Sequence, residues 1–312
     1  MNSTFHVPVL IDEIINNLNC RKGGVYIDCT LGGGGHSKII LSNLYPRCML
    51  VGIDQDKEAI DKAQEELKTY SDRIKLIKGN FKDLKKLLSI LQVKKASGII
   101  FDLGVSFHQL NKRERGFSFR EDNHLDMRMD LQQKFNAEIL VNTYSENELI
   151  GIFKKYGEER FSYRIARRIV AERKKTAIST TKQLSDLIIR TLPKTKKRIT
   201  WRIHPATRIF QAIRIEVNHE LDALEEGLRQ AVDVLEEKGR ICVISYHSLE
   251  DRIVKVFFKE MAKNVSVGET AKIRILTKKP IRPSISEIKE NPKARSAKLR
   301  VAEKTIRAEE VN

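Results

Sequence analysis

The spacing of apolar residues changes along this 312-residue chain. In the first hundred residues, short β-branched and apolar runs alternate with stretches whose apolar positions recur every three or four residues. The runs at 25–29, 49–53, 74–78 and 98–103 predict strands, and 37–44, 57–68 and 83–91 predict helices between them. Near-continuous apolar strands joined by amphipathic helices predict a parallel sheet covered on both faces. The alternation stops near residue 106. Up to 215 only helical spacing is found, at 146–156, 161–174, 181–192 and 205–217. It resumes with a helix at 220–236, a strand at 240–246, a helix at 249–261 and strands at 273–277 and 297–302. No helix is predicted between the last two strands, which can pair antiparallel across the Pro-containing stretch 280–292. The pattern predicts one α/β domain, residues 1–105 and 216–312, interrupted by a helical insertion at 106–215.

Within this frame residues 25–56 carry the strongest chemical signal. A strand leads into four glycines, Gly32 to Gly35, then His36, a helix, a second strand and Asp54. This is the order of a nucleotide-binding βαβ unit. Glycines let backbone approach a ligand closely because they lack Cβ. Asp54 lies 22 positions after Gly32, near the ~20 expected of an acid that binds ribose hydroxyls. A flexible glycine linker is the bland alternative, and the flanking strand and amphipathic helix count against it. Asp102 falls at the end of the fourth strand as Asp54 does at the end of the second, and that edge of an open α/β sheet is where ligands bind. A dehydrogenase uses the same unit. It repeats the unit after strand three, however, where this chain has its insertion, and GGGGHS departs from G-x-G-x-x-G at the sixth place. A late strand pair suits a methyltransferase sheet instead.

Charge narrows the partner. The net charge of +17 is uneven. Residues 151–215 hold 18 Lys/Arg against 4 Asp/Glu, residues 272–312 hold 12 against 5, and the remainder carries a net of −4. Two basic blocks on a near-neutral remainder point to a polyanion, nucleic acid first and anionic membrane second. Lys194, Lys196, Lys197, Arg198, Trp201 and Arg202 form a basic stretch with one aromatic, a combination that suits RNA. The competing reading is a solvated loop around a buried tryptophan. No run approaches the ~20 apolar residues of a membrane span, and the first residues lack the basic start of a secretory signal. The scattered Cys20, Cys29, Cys48 and Cys242 read as buried free thiols of a cytoplasmic protein, without the paired spacing of a zinc site.

Ten motifs occur in order: HVPVL (6–10), DCTLGGGGHS (28–37), GIDQD (52–56), GNF (79–81), DLGVSFHQL (102–110), RGFSF (115–119), LDMRMD (125–130), ATRIFQAIRIEVN (206–218), GRICVISYHSLEDRIVK (239–255) and ARSAKLRVAE (294–303). Together they resemble the bacterial 16S ribosomal RNA cytosine-N4 methyltransferase family (RsmH, formerly MraW) over essentially the whole chain. The resemblance implies a class I S-adenosylmethionine-dependent methyltransferase, an α/β Rossmann-like fold with a seven-stranded sheet and an inserted helical domain that recognises substrate. It implies methylation of a cytosine N4 in the decoding centre of 16S ribosomal RNA, cytosine 1402, with the RNA or the small ribosomal subunit as partner, in a monomer or homodimer. One departure is Phe107-His108, where the family usually has Ser-Pro.

The resemblance also implies residue roles. Gly34, Gly35 and His36 match the cofactor loop, Asp54 the ribose acid, Phe81 the neighbour of the adenine, and Asp102 and Gln109 the remaining contacts. Each has a plainer reading: a helix cap for His36, a strand-end acid for Asp54, a core aromatic for Phe81. The exocyclic amine of cytosine is a poor nucleophile because its lone pair is delocalised into the ring. Acceptors for its hydrogens would localise that pair. Asp102 is one candidate acceptor. His247, after the 240–246 strand, is another, with a helix cap as its alternative. A cysteine nucleophile is disfavoured by the lack of a Pro-Cys pair. The rival class is a non-catalytic ribosome-assembly factor on a methyltransferase fold.

Overall fold

The computed structural model describes residues 8–193, 204–263 and 272–306. Packing divides the chain into two compact units, Met1–Gly104 with Leu221–Asn312, and Val105–Glu220. The first unit runs α1 (Ile11–Leu18), β1 (Val25–Asp28), α2 (Gly35–Asn43), β2 (Met49–Asp54), α3 (Lys57–Glu66), β3 (Ile74–Lys78), α4 (Leu84–Ile90) and β4 (Ala96–Asp102). The second unit holds α5 (Phe107–Asn111), α6 (Ala137–Thr143), α7 (Glu146–Lys155), α8 (Ser162–Arg173), α9 (Thr181–Thr191) and α10 (Thr207–Asn218). The chain then continues with α11 (Glu220–Val234), β5 (Leu235–Ser245), α12 (Ser248–Met261), β6 (Ile273–Ile275), α13 (Ile285–Glu290) and β7 (Lys298–Lys304).

The seven strands make one sheet in the order β3-β2-β1-β4-β5-β7-β6. Strands β1 to β5 pair in parallel, and β7 runs antiparallel between β5 and β6. A dinucleotide-binding sheet of order 3-2-1-4-5-6 has no such inserted strand, so the dehydrogenase alternative falls. Successive strand residues point to opposite faces. Ile27, Val51, Ile99 and Val243 therefore pack on one face with Leu84, Leu228 and Phe257 of α4, α11 and α12. Tyr26, Leu50, Ile100 and Cys242 pack on the other with Ile14, Ile40 and Ile60 of α1, α2 and α3. Burial on both faces is the reason these strands read as unbroken apolar runs.

In the first unit three elements differ from expectation, and in the second α5 and α6 join the expected helices. The helix expected to reach 236 stops at Val234, and β5 begins at Leu235. Leu235 pairs with Ala96, and a register shift then brings Arg240 opposite Gly98. This bulge makes room for polar residues in a strand, which hides its start. The stretch 280–292 contains α13, capped by the Ser284 side chain, and the Glu287 carboxylate there accepts the Leu10 N–H at 2.7 Å. Helix α1 rests on the spacing Ile11, Ile14, Ile15, Leu18, which the strand-and-helix pattern passes over.

Among the described residues the second unit gives no strand to the sheet; it has an isolated bridge between His124 and Thr180. Its loops are stapled by polar groups from the RGFSF and LDMRMD motifs. Buried Arg115 donates to the Arg128 and Met129 carbonyls. The Asn218 side chain accepts from the Met129 N–H at 2.7 Å and donates to the Met127 carbonyl at 2.8 Å. Gly116 sits at φ 66°, and a Cβ there would lie 2.3 Å from the His124 carbonyl oxygen. Gly116→Ala is therefore expected to destabilise this unit by about 2 kcal/mol, from left-handed strain plus overpacking. Chemical denaturation followed by circular dichroism measures it; an unmoved midpoint would contradict the close approach.

Candidate active site

Parallel strands end together, so the carboxyl ends of β1, β2, β4 and β5 bring Asp28, Asp54, Asp102 and Tyr246 to one edge of the first unit. The glycine loop crosses this edge between β1 and α2. Gly32, at φ 51°, donates its N–H to Asp54 Oδ2 at 2.8 Å. Gly34, at φ 84°, is the cap of α2, and a Cβ there would lie 3.1 Å from Leu67 of the α3 turn. A Cβ on Gly33 would meet only the Lys62 side chain, at 3.8 Å, so the loop backbone is open to approach there. The first N–H groups of α2 have no partner within the helix, which favours an anion.

Asp54 also accepts the Asp56 N–H on Oδ1, at 2.9 Å. Burial pushes its carboxyl up to about 6, opposed by these two N–H bonds. Each oxygen keeps a second lone pair. The GNF segment abuts this acid: Gly79 N–H donates to the Asp54 carbonyl at 2.8 Å, and Asn80 Nδ2 to Gln55 Oε1 at 2.9 Å. Phe81, half-buried, stands edge-on to Phe101 with ring centres 5.4 Å apart. A Cβ on Gly227 of α11 would lie 2.7 Å from its ring, so α11 fixes its position.

The second cluster is a chain of buried and half-buried polar groups. Tyr246 donates its hydroxyl to Asp102 Oδ1 at 2.8 Å. Asp102 Oδ2 lies 3.3 Å from His36 Nδ1, and His36 Nε2 lies 3.0 Å from the Val9 carbonyl, to which it must donate. Asp28 accepts from Ser37 Oγ at 2.7 Å and the Thr30 N–H at 3.1 Å. The Asp102 N–H donates to Thr30 Oγ1 at 2.6 Å. Burial pushes the Asp28 carboxyl up, and the neighbouring His36 ring draws it down. Burial and the Asp102 charge hold the Tyr246 phenol well above its usual range, so it remains an O–H donor. The arrangement presents an anchored carboxylate, Asp102, beside a glycine loop and a second strand-end acid, Asp54.

Gly34, Gly35, His36, Asp54, Phe81 and Asp102 thus share one strand edge. Gln109 belongs to the second unit, where its Oε1 accepts the Ser106 N–H at 3.1 Å in a capping box at the start of α5. That box starts α5 with Phe107-His108 in place of Ser-Pro. His247 caps α12 in a box with Glu250, its Nδ1 accepting the Glu250 N–H at 3.4 Å. Lys194, Lys196, Lys197, Arg198, Trp201 and Arg202 lie outside the described residues. Tyr246 escaped sequence reasoning; its signal was its place directly after an apolar strand. The four cysteines are free thiols. Burial pushes Cys29 well above the usual thiol range and Cys242 up to about 12, so neither supplies a thiolate near neutral pH.

The sequence profile of the MraW methylase family matches residues 3–305. Ribosomal RNA small subunit methyltransferase H of Sulfurihydrogenibium sp. (strain YO3AOP1) is 52% identical over 297 residues, covering 95% of this chain and 98% of that protein. The enzymes of the same name from Persephonella marina and Clostridioides difficile (strain 630) are 50% and 48% identical, each covering 96% of this chain and 99% and 98% of their own lengths.

Proposed function

The chain belongs to the MraW methylase family, and we propose that its methyl acceptor is the exocyclic N4 of a cytosine in the decoding centre of 16S ribosomal RNA, by family resemblance cytosine 1402. It is an S-adenosylmethionine-dependent methyltransferase of class I fold. The relatives' name supports small-subunit ribosomal RNA as the substrate, and the bacterial cytoplasm, where that RNA is made, as the place of action. The observation that carries the reading is the Asp102 carboxylate, held by Tyr246 at 2.8 Å on the sheet edge that also bears the glycine loop and Asp54.

The residues fit this cofactor. The N–H groups of the Gly34–His36 turn suit the methionine carboxylate, the spare lone pairs of Asp54 suit the ribose hydroxyls, and Phe81 supplies an apolar wall for the adenine. Gln109 is the further contact that the resemblance suggests. Bound S-adenosylmethionine supplies an electrophilic methyl group on a sulfonium. Asp102 accepts a hydrogen of the target amine, which localises the nitrogen lone pair for attack, and takes the proton that the methylated nitrogen must lose. Tyr246 holds one oxygen of Asp102, and the His36 ring, fixed by Val9, faces the other. His247 keeps its cap on α12.

Asp54 sets a pH dependence. With its carboxyl near 6, the acid is ionised at pH 7.5 and increasingly protonated below 6, where an oxygen changes from acceptor to donor. S-adenosylmethionine affinity is therefore expected to be flat above pH 7 and about tenfold weaker at pH 5. Calorimetry across this range tests it, and Asp54→Asn should flatten the profile. The activity itself is tested with labelled S-adenosylmethionine and 16S ribosomal RNA or small subunits, mapping product by mass spectrometry. Label on a cytosine N4 is expected. Tight cofactor binding without transfer to either substrate would favour the non-catalytic assembly factor.

A further inference from the structure

We propose that the outward face of α7 and α8 is a platform for single-stranded RNA, on which Tyr163 stacks a base and the surrounding arginines bind phosphates. The proposal rests on the reading of ribosomal RNA as substrate and adds the surface that grips it.

Helix α8 buries Ser162, Ile165, Ala166 and Ile169. The 3.6-residue period then turns Tyr163, Arg164, Arg167 and Arg168 outward, and all four are exposed. These side chains spread over roughly 7 Å of helix at about 1.5 Å per residue. Exposed Lys154 and Lys155 adjoin them from α7, and Arg160 from the connecting turn. Residues 154–175 hold nine basic side chains against three acidic ones. The ion pairs here are loose: Arg167 to Glu146 at 3.6 Å and Arg168 to Glu172 at 3.3 Å. Exposed pairs of this kind are worth little and yield readily to a phosphate.

Tyr163 is what a merely solvated face does not account for. The residue is 59% exposed. Lys154 Nζ lies 4.0 Å from its centre and donates to its hydroxyl at 2.8 Å. The cation lies against the ring, and the exposure leaves much of the residue open to solvent. An exposed aromatic ring among cations matches the two needs of single-stranded RNA, stacking for bases and charge for the backbone. Arginine dominates the face, and its planar fork matches phosphate oxygens. An anionic membrane, the other polyanion, calls for a broad apolar face beside the charge, and α8 turns its apolar face inward.

The test measures binding of a labelled single-stranded 16S ribosomal RNA fragment by fluorescence anisotropy, from roughly 50 to 200 mM salt. The triple variant Arg164→Gln, Arg167→Gln, Arg168→Gln is expected to reduce the magnitude of the log–log salt slope by about 2, at about 0.7 per lost contact. Lys86→Gln, Lys255→Gln, Lys259→Gln, an equal charge change on exposed residues of the first unit, should leave it unchanged. Tyr163→Leu should weaken binding roughly tenfold with the slope intact, and Tyr163→Phe should behave as wild type. S-adenosylmethionine affinity should be normal in every variant, which also reports folding. A wild-type slope in the arginine variant, or an equal loss in the lysine variant, overturns the platform alone. Wild-type protein that binds cofactor but shows no salt-dependent RNA binding overturns the substrate reading and the platform with it.

Discussion

Asp102→Asn is expected to lower kcat by about a hundred- to a thousandfold, while S-adenosylmethionine affinity changes less than about tenfold. Asparagine has the same shape, and its oxygen can still accept from Tyr246, which reaches Asp102 at 2.8 Å in the wild type. The amide lacks the negative charge and cannot take a proton from the methylated amine. The loss corresponds to roughly 3–4 kcal/mol of transition-state stabilisation, a range typical of one removed proton acceptor. Single-turnover kinetics with RNA, beside calorimetry with cofactor alone, separates two roles for this acid. If Asp102 instead binds the cofactor's amino group, the dissociation constant rises and the single-turnover rate at saturating cofactor holds. A rate within threefold of wild type removes Asp102 from the chemistry. Tyr246→Phe keeps the ring and deletes the O–H that anchors the carboxylate. It should cost about tenfold in kcat, as expected of a residue that acts through another.

Asp54→Ala is expected to weaken S-adenosylmethionine binding by about 3 kcal/mol, somewhat over a hundredfold, with two charge-assisted hydrogen bonds to the ribose at stake. Burial already holds this carboxyl up near 6 in the free protein, so that cost is common to the free and bound states. A second loss adds to the first. The Gly32 and Asp56 N–H groups, at 2.8 and 2.9 Å from the carboxylate, lose their partner, so the glycine loop is untied as well. Calorimetry at pH 7.5 reads the sum. An affinity equal to wild type would show that this acid does not touch the ribose.

The legible parts of this protein are those governed by local period and by residues close in the chain. Val25 and Met49 open strands whose apolar runs follow from burial on two faces, and these strands, like those opening at Ile74 and Lys298, matched the expected positions to within about two residues. Gly32 and Asp54, only 22 residues apart, marked the βαβ unit by spacing alone, and the hydrogen bond between them appears only in the folded chain. The loss of strand period after 106 marked where the sheet is interrupted. Other features depend on which strands end side by side, and no local pattern carries that. Tyr246 meets Asp102 across 144 residues because β5 pairs in parallel beside β4, with Ile244 opposite Asp102. His36 reaches Asp102 because β1 lies against β4, and the early start of β5 exists because Leu235 finds Ala96. Gln109, a cofactor contact implied by the resemblance, and His247, a candidate acceptor with a helix cap as its alternative, both sit in capping boxes, where unpaired N–H groups at a helix start need acceptors. Periodicity follows from solvent and neighbouring residues, whereas the chemistry at the sheet edge follows from strand order and register, which form only when distant segments pack.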